Sequence, residues 1–147
     1  MQNLFDTHTF ENCLERLQVI NDKTTAQWGQ MNAAQMLHHC QKPLEVAMQK
    51  KEHQLKSNLL AQWFFKKMMY NDKPWPKGMQ TPKSFKVETE KEMNEEKNPL
   101  INLLQEFFSQ RNREKWPKHP VFGQFTPEQV GKMQFKHLDH HLRQFGV

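Results

Sequence analysis

The sequence has little of what β-structure requires. Only five of its 147 residues are glycine, and runs of β-branched residues are few. Sandwiches and barrels depend on such runs and on frequent turns, so both are disfavoured. Leu, Met, Gln, Lys and Glu, all good helix formers, are abundant instead. The composition predicts an all-α protein, and residues 1–147 are long enough for one domain with a real core.

Cysteine and long apolar stretches are also scarce. The two cysteines, Cys13 and Cys40, form no CxxC pair, which is typical of a protein in a reducing compartment. The N-terminus has no basic region followed by an apolar segment. No apolar run approaches the roughly 20 residues that span a bilayer. We therefore expect a cytoplasmic protein with no membrane segment.

The positive charge lacks arginine where it is densest. The net charge is +5, and residues 42–91 contain 11 lysines, no arginine and five acidic residues. Arginine makes the bidentate contacts with guanine and phosphate that nucleic-acid readers use, so its absence disfavours nucleic acid as a partner. A solvated surface is the favoured interpretation of this basic segment, and polyanion binding is the weaker alternative.

Hydrophobic periodicity predicts five helices, with a long Pro-rich crossover over residues 71–81. The third helix carries Trp63 and neighbouring aromatic and Met residues, and is either buried in the core or a dimer interface. The last helix has the clearest start, because Thr126, Pro127 and Gln129 form a capping box with proline at the first position. The first predicted helix covers residues 9–20, the second begins at residue 33 after an Asn32 cap, and the third covers residues 55–70. The fourth runs from residue 87 or 88 to 111, and the last from 127 to near 145.

Histidines are concentrated in the last helix. On a helical wheel His137 and His141 lie within or beside the apolar arc, and His140 falls at its rim. Two imidazoles four residues apart are neighbours on one face and can bind a single ion. Four charged residues define the opposite, outward arc of this helix: Lys132, Lys136, Asp139 and Arg143.

A third ligand must come from another helix. His39 lies at the edge of the apolar face of the second helix, while His38 falls on its polar face. His39 is therefore the best candidate, although the pattern leaves open that His38 takes its place. Three neutral imidazoles suit a divalent metal, and three protein ligands leave a position for water or substrate, as in catalytic sites.

Other residues near this pattern are weaker candidates. Cys40 is either a small core residue, which is favoured, or a softer fourth ligand. His140 and Gln144 are candidates for orienting a ligand or a substrate. We expect His8, His53 and His119 to be structural or surface residues, and no catalytic residue can be chosen from the sequence.

The chain resembles the DinB/YfiT-like helical-bundle superfamily, in a branch of unknown function that ends in HxxHHLRQFG. The matching residues are Trp28-Gly29 with Met31, the stretch 36–40, the loop 119–123 and residues 137–146. The resemblance implies a four-helix bundle with one long crossover and a short extra helix, often dimeric. It also implies a divalent metal held by His39, His137 and His141. Imidazole suits Zn²⁺, Ni²⁺, Fe²⁺ or Cu²⁺, and of these we expect Zn²⁺ or Ni²⁺.

Relatives in the wider superfamily include thiol-dependent transferases, which implies a low-molecular-weight thiol as a second cofactor. Two functions follow as expectations. The first is a metal-dependent transferase or hydrolase acting on a small molecule. The alternative is a non-catalytic, metal-stabilised homodimer that serves as an interaction module. Fold analogy does not choose between them.

Overall fold

The computed structural model describes residues 2–51, 55, 59–79 and 81–147, without the side chain of residue 61. Within these residues the structure is helical and has no strand, which confirms the predicted all-α class. A single antiparallel bridge joins His119 to Gly123. The elements are α1 (Thr7–Val19), α2 (Ala33–Ala47), α3 (Leu59–Tyr70), a 3₁₀ turn (Lys83–Phe85), α4 (Met93–Ser109) and α5 (Pro127–Gln144).

Local sequence signals set several helix ends. The Asp6 side chain accepts a hydrogen bond from the backbone N–H of Thr9 and begins α1. Asn32 and Gln35 form a reciprocal capping box at the start of α2. Thr126 and Gln129 form the predicted capping box at the start of α5. These caps satisfy backbone donors that would otherwise lack partners, so they fix the register of the two helices that carry the histidines.

The helices pack as a bundle around one continuous apolar cluster. α2 packs most extensively against α4, and α5 packs against α1, α2 and α3. The largest fully buried side chains come from all sides of this bundle: Leu4, Leu17, Ile20, Met36, Leu37, Leu100, Leu104, Phe107 and Leu142. Burying a side chain of this size contributes roughly 1.5–3 kcal/mol. The bundle therefore holds α2 and α5 as adjacent rigid supports.

Three predicted boundaries differ from the structure. α1 begins at Thr7 rather than residue 9, because Asp6 caps it four residues before the first apolar position, Phe10. Leu55 is not helical, and the described part of α3 begins at Leu59. α4 begins at Met93 rather than residue 87 or 88 and ends at Ser109. Within residues 87–92 the Thr89 carbonyl accepts a hydrogen bond from Gln35 of α2, a tertiary contact that periodicity does not reveal. His53 lies outside the described residues.

The exposure of α3 bears on the two interpretations that its sequence left open. Its aromatic and aliphatic face is exposed rather than buried, with Trp63 82% and Leu59 79% accessible, and Phe64 and Phe65 more than half accessible. The core interpretation of this face is therefore wrong. Among the described residues, no helix is both long and apolar enough to cross a membrane.

Lys136 is a second correction, since the wheel placed it on the outward arc of α5. It is buried, and its ammonium donates to the carbonyls of Met68 and Asn71 at 2.6 and 3.0 Å and to Asn71 Oδ1 at 2.7 Å. Cations are favourable at helix C-termini, where carbonyls lack intrahelical partners. Lys136 thus caps the end of α3 and fastens it to α5. This contact covers a residue that α5 alone would expose.

Candidate metal centre

α2 presents His39 to the interior of the bundle. The side chain is buried, and its Nδ1 donates to the backbone carbonyl of Phe85 in the 3₁₀ turn at 2.9 Å. With Nδ1 carrying the proton of a neutral ring, Nε2 keeps a free lone pair. This nitrogen points at α5 and lies 3.0 Å from His137 Nε2. The turn therefore selects the tautomer in which His39 can act as a ligand.

α5 contributes two histidines one turn apart. The rings of His137 and His141 have centroids 4.8 Å apart, and each lies 5.0 Å or less from the His39 ring. His141 Nδ1 donates to Gln144 Oε1 at 2.8 Å, and Gln144 Nε2 donates to the carbonyl of Trp28 at 2.6 Å. This chain of hydrogen bonds leaves His141 Nε2 as the unprotonated nitrogen of the neutral ring.

The three histidines are positioned to bind a metal ion. Each offers one ring nitrogen, and these ligand atoms lie within 4.8 Å of one another. Nitrogens ~2.0–2.1 Å from a tetrahedral zinc ion are ~3.3–3.4 Å apart, so the 3.0 Å separation between His39 and His137 is close to what a bound ion needs. The same contact can also be a hydrogen bond in which His137 donates to His39. This pair of nitrogens needs only a small expansion to hold a metal ion.

Burial keeps these imidazoles neutral. It lowers the pKa of His39 to about 4, with Lys42 and neighbouring histidines adding to the effect and the Phe85 carbonyl opposing it. Burial and His39 lower the pKa of His141 to about 3, and burial and His141 hold the pKa of His137 well below its ordinary value. A metal ligand must be unprotonated, so all three rings are ready to bind an ion at neutral pH.

Two tryptophans frame the outer side of the cluster. The ring of Trp75 lies 5.8 Å from that of His137 and 5.9 Å from that of His140. The ring of Trp28 lies 6.0 Å from His140, and the Lys77 ammonium lies over Trp28 at 4.3 Å. His140 thus packs between aromatic rings beside the cluster and is not one of its three members.

The remaining sequence candidates lie elsewhere. His38 turns away from the cluster, and its Nδ1 pairs with Glu96 Oε2 at 2.9 Å. Cys40 is buried with its Sγ 3.6 Å from Met36 Sδ, and burial raises the pKa of its thiol, which fits the core interpretation. Gln144 Oε1 accepts the hydrogen bond of His141 Nδ1, and its role in orienting a ligand or substrate stays a prediction. His8 is exposed, and His119 accepts hydrogen bonds from the N–H groups of Val121 and Phe122 within its own loop.

Sequence reasoning missed two polar groups beside these histidines. The Phe85 carbonyl had no sequence signal, because it comes from an irregular turn 46 residues away. Glu96 did have a signal, since it lies in phase with the buried Leu100, Leu104 and Phe107 of α4. A carboxylate on a buried helical arc requires a partner, and here the partners are His38 and Gln41.

Together the fold and the cluster define an all-helical protein with a three-histidine group able to hold a metal ion. Residues 2–146 match the family described as "Protein of unknown function (DUF1569)", and the chain belongs to that family. No curated protein matches the chain. No solved structure matches it either.

Proposed function

We propose that residues 1–147 form one DinB/YfiT-like domain that binds a divalent metal, Zn²⁺ or Ni²⁺, through His39, His137 and His141. The observation that carries the proposal is the convergence of three neutral imidazoles from two helices, two of them oriented by hydrogen bonds at the opposite ring nitrogen. Imidazole suits both metals, and orientation by such partners is typical of metal-binding histidines.

We propose further that the site is catalytic, in a metal-dependent transferase or hydrolase. Three protein ligands leave a coordination position free, and a bound divalent ion would supply the Lewis acidity that generates a nucleophile from water or a small thiol at neutral pH. The chain itself supplies the rest. Phe85 and Gln144 fix the orientations of His39 and His141, and Trp75 packs beside His137.

Elemental analysis of protein purified without a His-tag or chelator tests the site. We expect about one divalent ion per chain in the parent, and none in a His39→Ala/His137→Ala/His141→Ala variant. A screen with small thiols and activated substrates then separates a catalytic site from a structural one. A parent that stays empty and takes up neither added Zn²⁺ nor Ni²⁺ would show that the histidines are ordinary buried residues.

The exposed apolar face of α3 favours the second candidate, a non-catalytic metal-stabilised homodimer. Large exposed aromatic patches mark interaction surfaces, and Trp63 is a typical anchor residue for them. Light scattering on the parent and on Trp63→Ser tests this arrangement. A dimer that dissociates in the variant, with metal removal lowering the melting temperature and no reaction found, would support this function. A monomeric parent at micromolar concentration would remove it.

A further inference from the structure

Residues 83–91 lie along α2 and are fastened there by three of its side chains. Gln35 Nε2 donates to the carbonyl of Thr89 at 3.1 Å, and His39 Nδ1 donates to that of Phe85. Lys42 Nζ donates to the carbonyls of Ser84 and Lys86 at 3.1 and 3.2 Å. The segment contains only one short 3₁₀ turn, yet side chains from α2 hold it near both ends.

Between this segment and α2 lies an open cleft, here called the basic cleft, with a volume of about 420 Å³. This volume falls within the range of small-molecule sites. Half of its lining residues are lysines, and Val87 contributes an apolar portion. The lining residues are His38, Lys42, Lys83, Lys86, Val87, Glu88, Thr89 and Lys91.

The charges in the basic cleft are poorly balanced. Four ammonium groups face one lining carboxylate, Glu88, and Lys91 lies 4.0 Å from Glu96. Among the residues that the structure describes, no carboxylate forms an ion pair with the exposed Lys83 or Lys86. Such convergence of like charges is unfavourable unless an anion joins them.

The surroundings of Lys42 disfavour the positive charge of its ammonium. Burial lowers the pKa of its ammonium, the charge of Lys91 lowers it further, and Glu45 acts in the opposite direction. Its two hydrogen bonds to backbone carbonyls fix the ammonium where the segment meets α2. The lysine is therefore held in place rather than free to move into solvent.

His38 adds a polar group to the same wall. Its Nδ1 is engaged by Glu96 Oε2 at 2.9 Å, and Gln41 Nε2 holds that same carboxylate oxygen at 2.7 Å. The side chain keeps 30% of its surface accessible. Nε2 is therefore the ring nitrogen that remains for a ligand, and the buried Glu96 holds the ring in one orientation.

We propose that the basic cleft binds the phosphoryl group of a small phosphorylated molecule. Lysines bind phosphate as point charges, and a phosphoryl group brings nearly two negative charges to be shared among them. The volume leaves room beside that group for the body of the molecule, against Val87 and Thr89. The inference goes beyond the proposed metal function, because none of the lining residues belongs to the histidine cluster.

Isothermal titration with inorganic pyrophosphate tests the proposal. The titration uses the full chain as the His137→Ala variant, so that chelation of a metal ion by the probe cannot produce heat. At pH 7.5 and low salt we expect a dissociation constant of ~1 mM or below. The affinity should fall as salt is raised, because ions screen the lysine charges.

A matched pair of double variants locates the binding. Lys83→Gln/Lys86→Gln removes two exposed charges from the cleft, and Lys115→Gln/Lys118→Gln removes two exposed charges outside it. The two variants have equal net charge. We expect about tenfold weaker binding or worse in the first and a change within about twofold in the second.

Three results would overturn the proposal. One is the absence of pyrophosphate binding at low salt. Another is an equal loss in both double variants, which would mean that net charge alone attracts the anion. The third is tight binding of a single-stranded oligonucleotide without pyrophosphate binding, which would assign the lysines to a polyanion surface. None of these results bears on the metal proposal, because the titration uses the His137→Ala variant and does not involve a bound metal.

Discussion

Two neighbouring residues of α2, His38 and His39, have opposite environments. His39 is buried and directed at two further histidines, and its Nδ1 is bonded to a neutral backbone carbonyl. His38 is partly exposed on the wall of the basic cleft and paired with a carboxylate. The carbonyl directs Nε2 of His39 toward the other histidines, whereas the carboxylate holds the His38 ring on the wall of the cleft. The partner at Nδ1 therefore suits one ring to metal binding and the other to a polar surface.

The segment 83–91 links the two environments. Its turn supplies the Phe85 carbonyl that orients His39. Lys83 and residues 86–89, with Lys91 further along, line the cleft next to His38. The same segment therefore contacts the buried, neutral histidine cluster through Phe85 and also forms part of the exposed, charged cleft. The α2 residues at these two places, His39 and His38, are adjacent in the sequence. The predictions that follow test whether the two sides of α2 have different functions.

The largest difference is expected between His39→Ala and His38→Ala. Loss of His39 removes one of three ligand nitrogens, so metal affinity should fall by more than ~100-fold, beyond the loss caused by removing a residue that only supports a ligand. His38→Ala should keep about one ion per chain. Metal titration with a competing chelator measures both affinities. Equal losses in the two variants would contradict the separation of the two sides.

Gln144→Leu should have the next largest effect. It keeps a side chain of similar size but removes the acceptor of His141 Nδ1 and the donor to the Trp28 carbonyl. Residues that orient metal-binding histidines typically contribute 10–100-fold to affinity, so a loss of about that size is expected. Gln144→Glu retains the acceptor and should lose less. If both variants bind metal as the parent does, Gln144 has only a packing role.

The histidine cluster shows how far the sequence determines a site. The capping box at Thr126 and the apolar period of α5 place His137 and His141 on one face, and the edge position of His39 follows from α2 alone. These are local regularities, so a helical wheel captures them. The Phe85 and Trp28 carbonyls come from irregular chain, and backbone atoms carry no residue-type signal. Tertiary contact decided their positions.

The errors have a similar origin. Lys136 was expected in solvent because the wheel treats α5 in isolation, whereas the C-terminus of α3 covers it. The α3 face around Trp63 was open to two interpretations because apolar composition records hydrophobicity but not neighbours. The lysines and glutamates of residues 83–92 likewise did not reveal that α2 side chains hold this segment.

Glu96 allows a third test on the cleft side. Glu96→Leu leaves His38 Nδ1 and Gln41 Nε2 without their carboxylate partner, so the free energy of unfolding should fall by about 1–2 kcal/mol. It also removes a negative charge 4.0 Å from Lys91, so pyrophosphate should bind the cleft more tightly. Urea denaturation and calorimetry measure the two effects. A variant that loses both stability and anion affinity would mean that Glu96 shapes the cleft rather than opposing the ligand. Metal content should stay unchanged in either case.

His119 separates the effect of burial from that of metal binding. Burial lowers the pKa of His119 to about 4, below the ~6.5 of an unfolded chain, and the ring lies in the 119–123 loop away from the cluster. The unfolded state then binds more protons between these values. The neutral His119 ring therefore makes its full contribution to folding stability above pH 6.5, and this contribution is lost as the pH falls toward 4. Because of His119, the free energy of unfolding should be about 1–2 kcal/mol lower at pH 5 than at pH 7.

The variant that isolates this contribution is His119→Asn, whose side-chain oxygen can accept the hydrogen bonds of Val121 and Phe122 but does not titrate. Its unfolding free energy should match that of the parent at pH 7–8 within ~0.5 kcal/mol and exceed it at pH 5. His39 and His141 also oppose acid stability, but they do so equally in both proteins, so the difference between the two pH profiles belongs to His119. Parallel profiles would show that His119 does not stay neutral in the folded protein. Burial alone would then be too weak an explanation for the neutrality of His39, and the contacts around that ring would have to provide it.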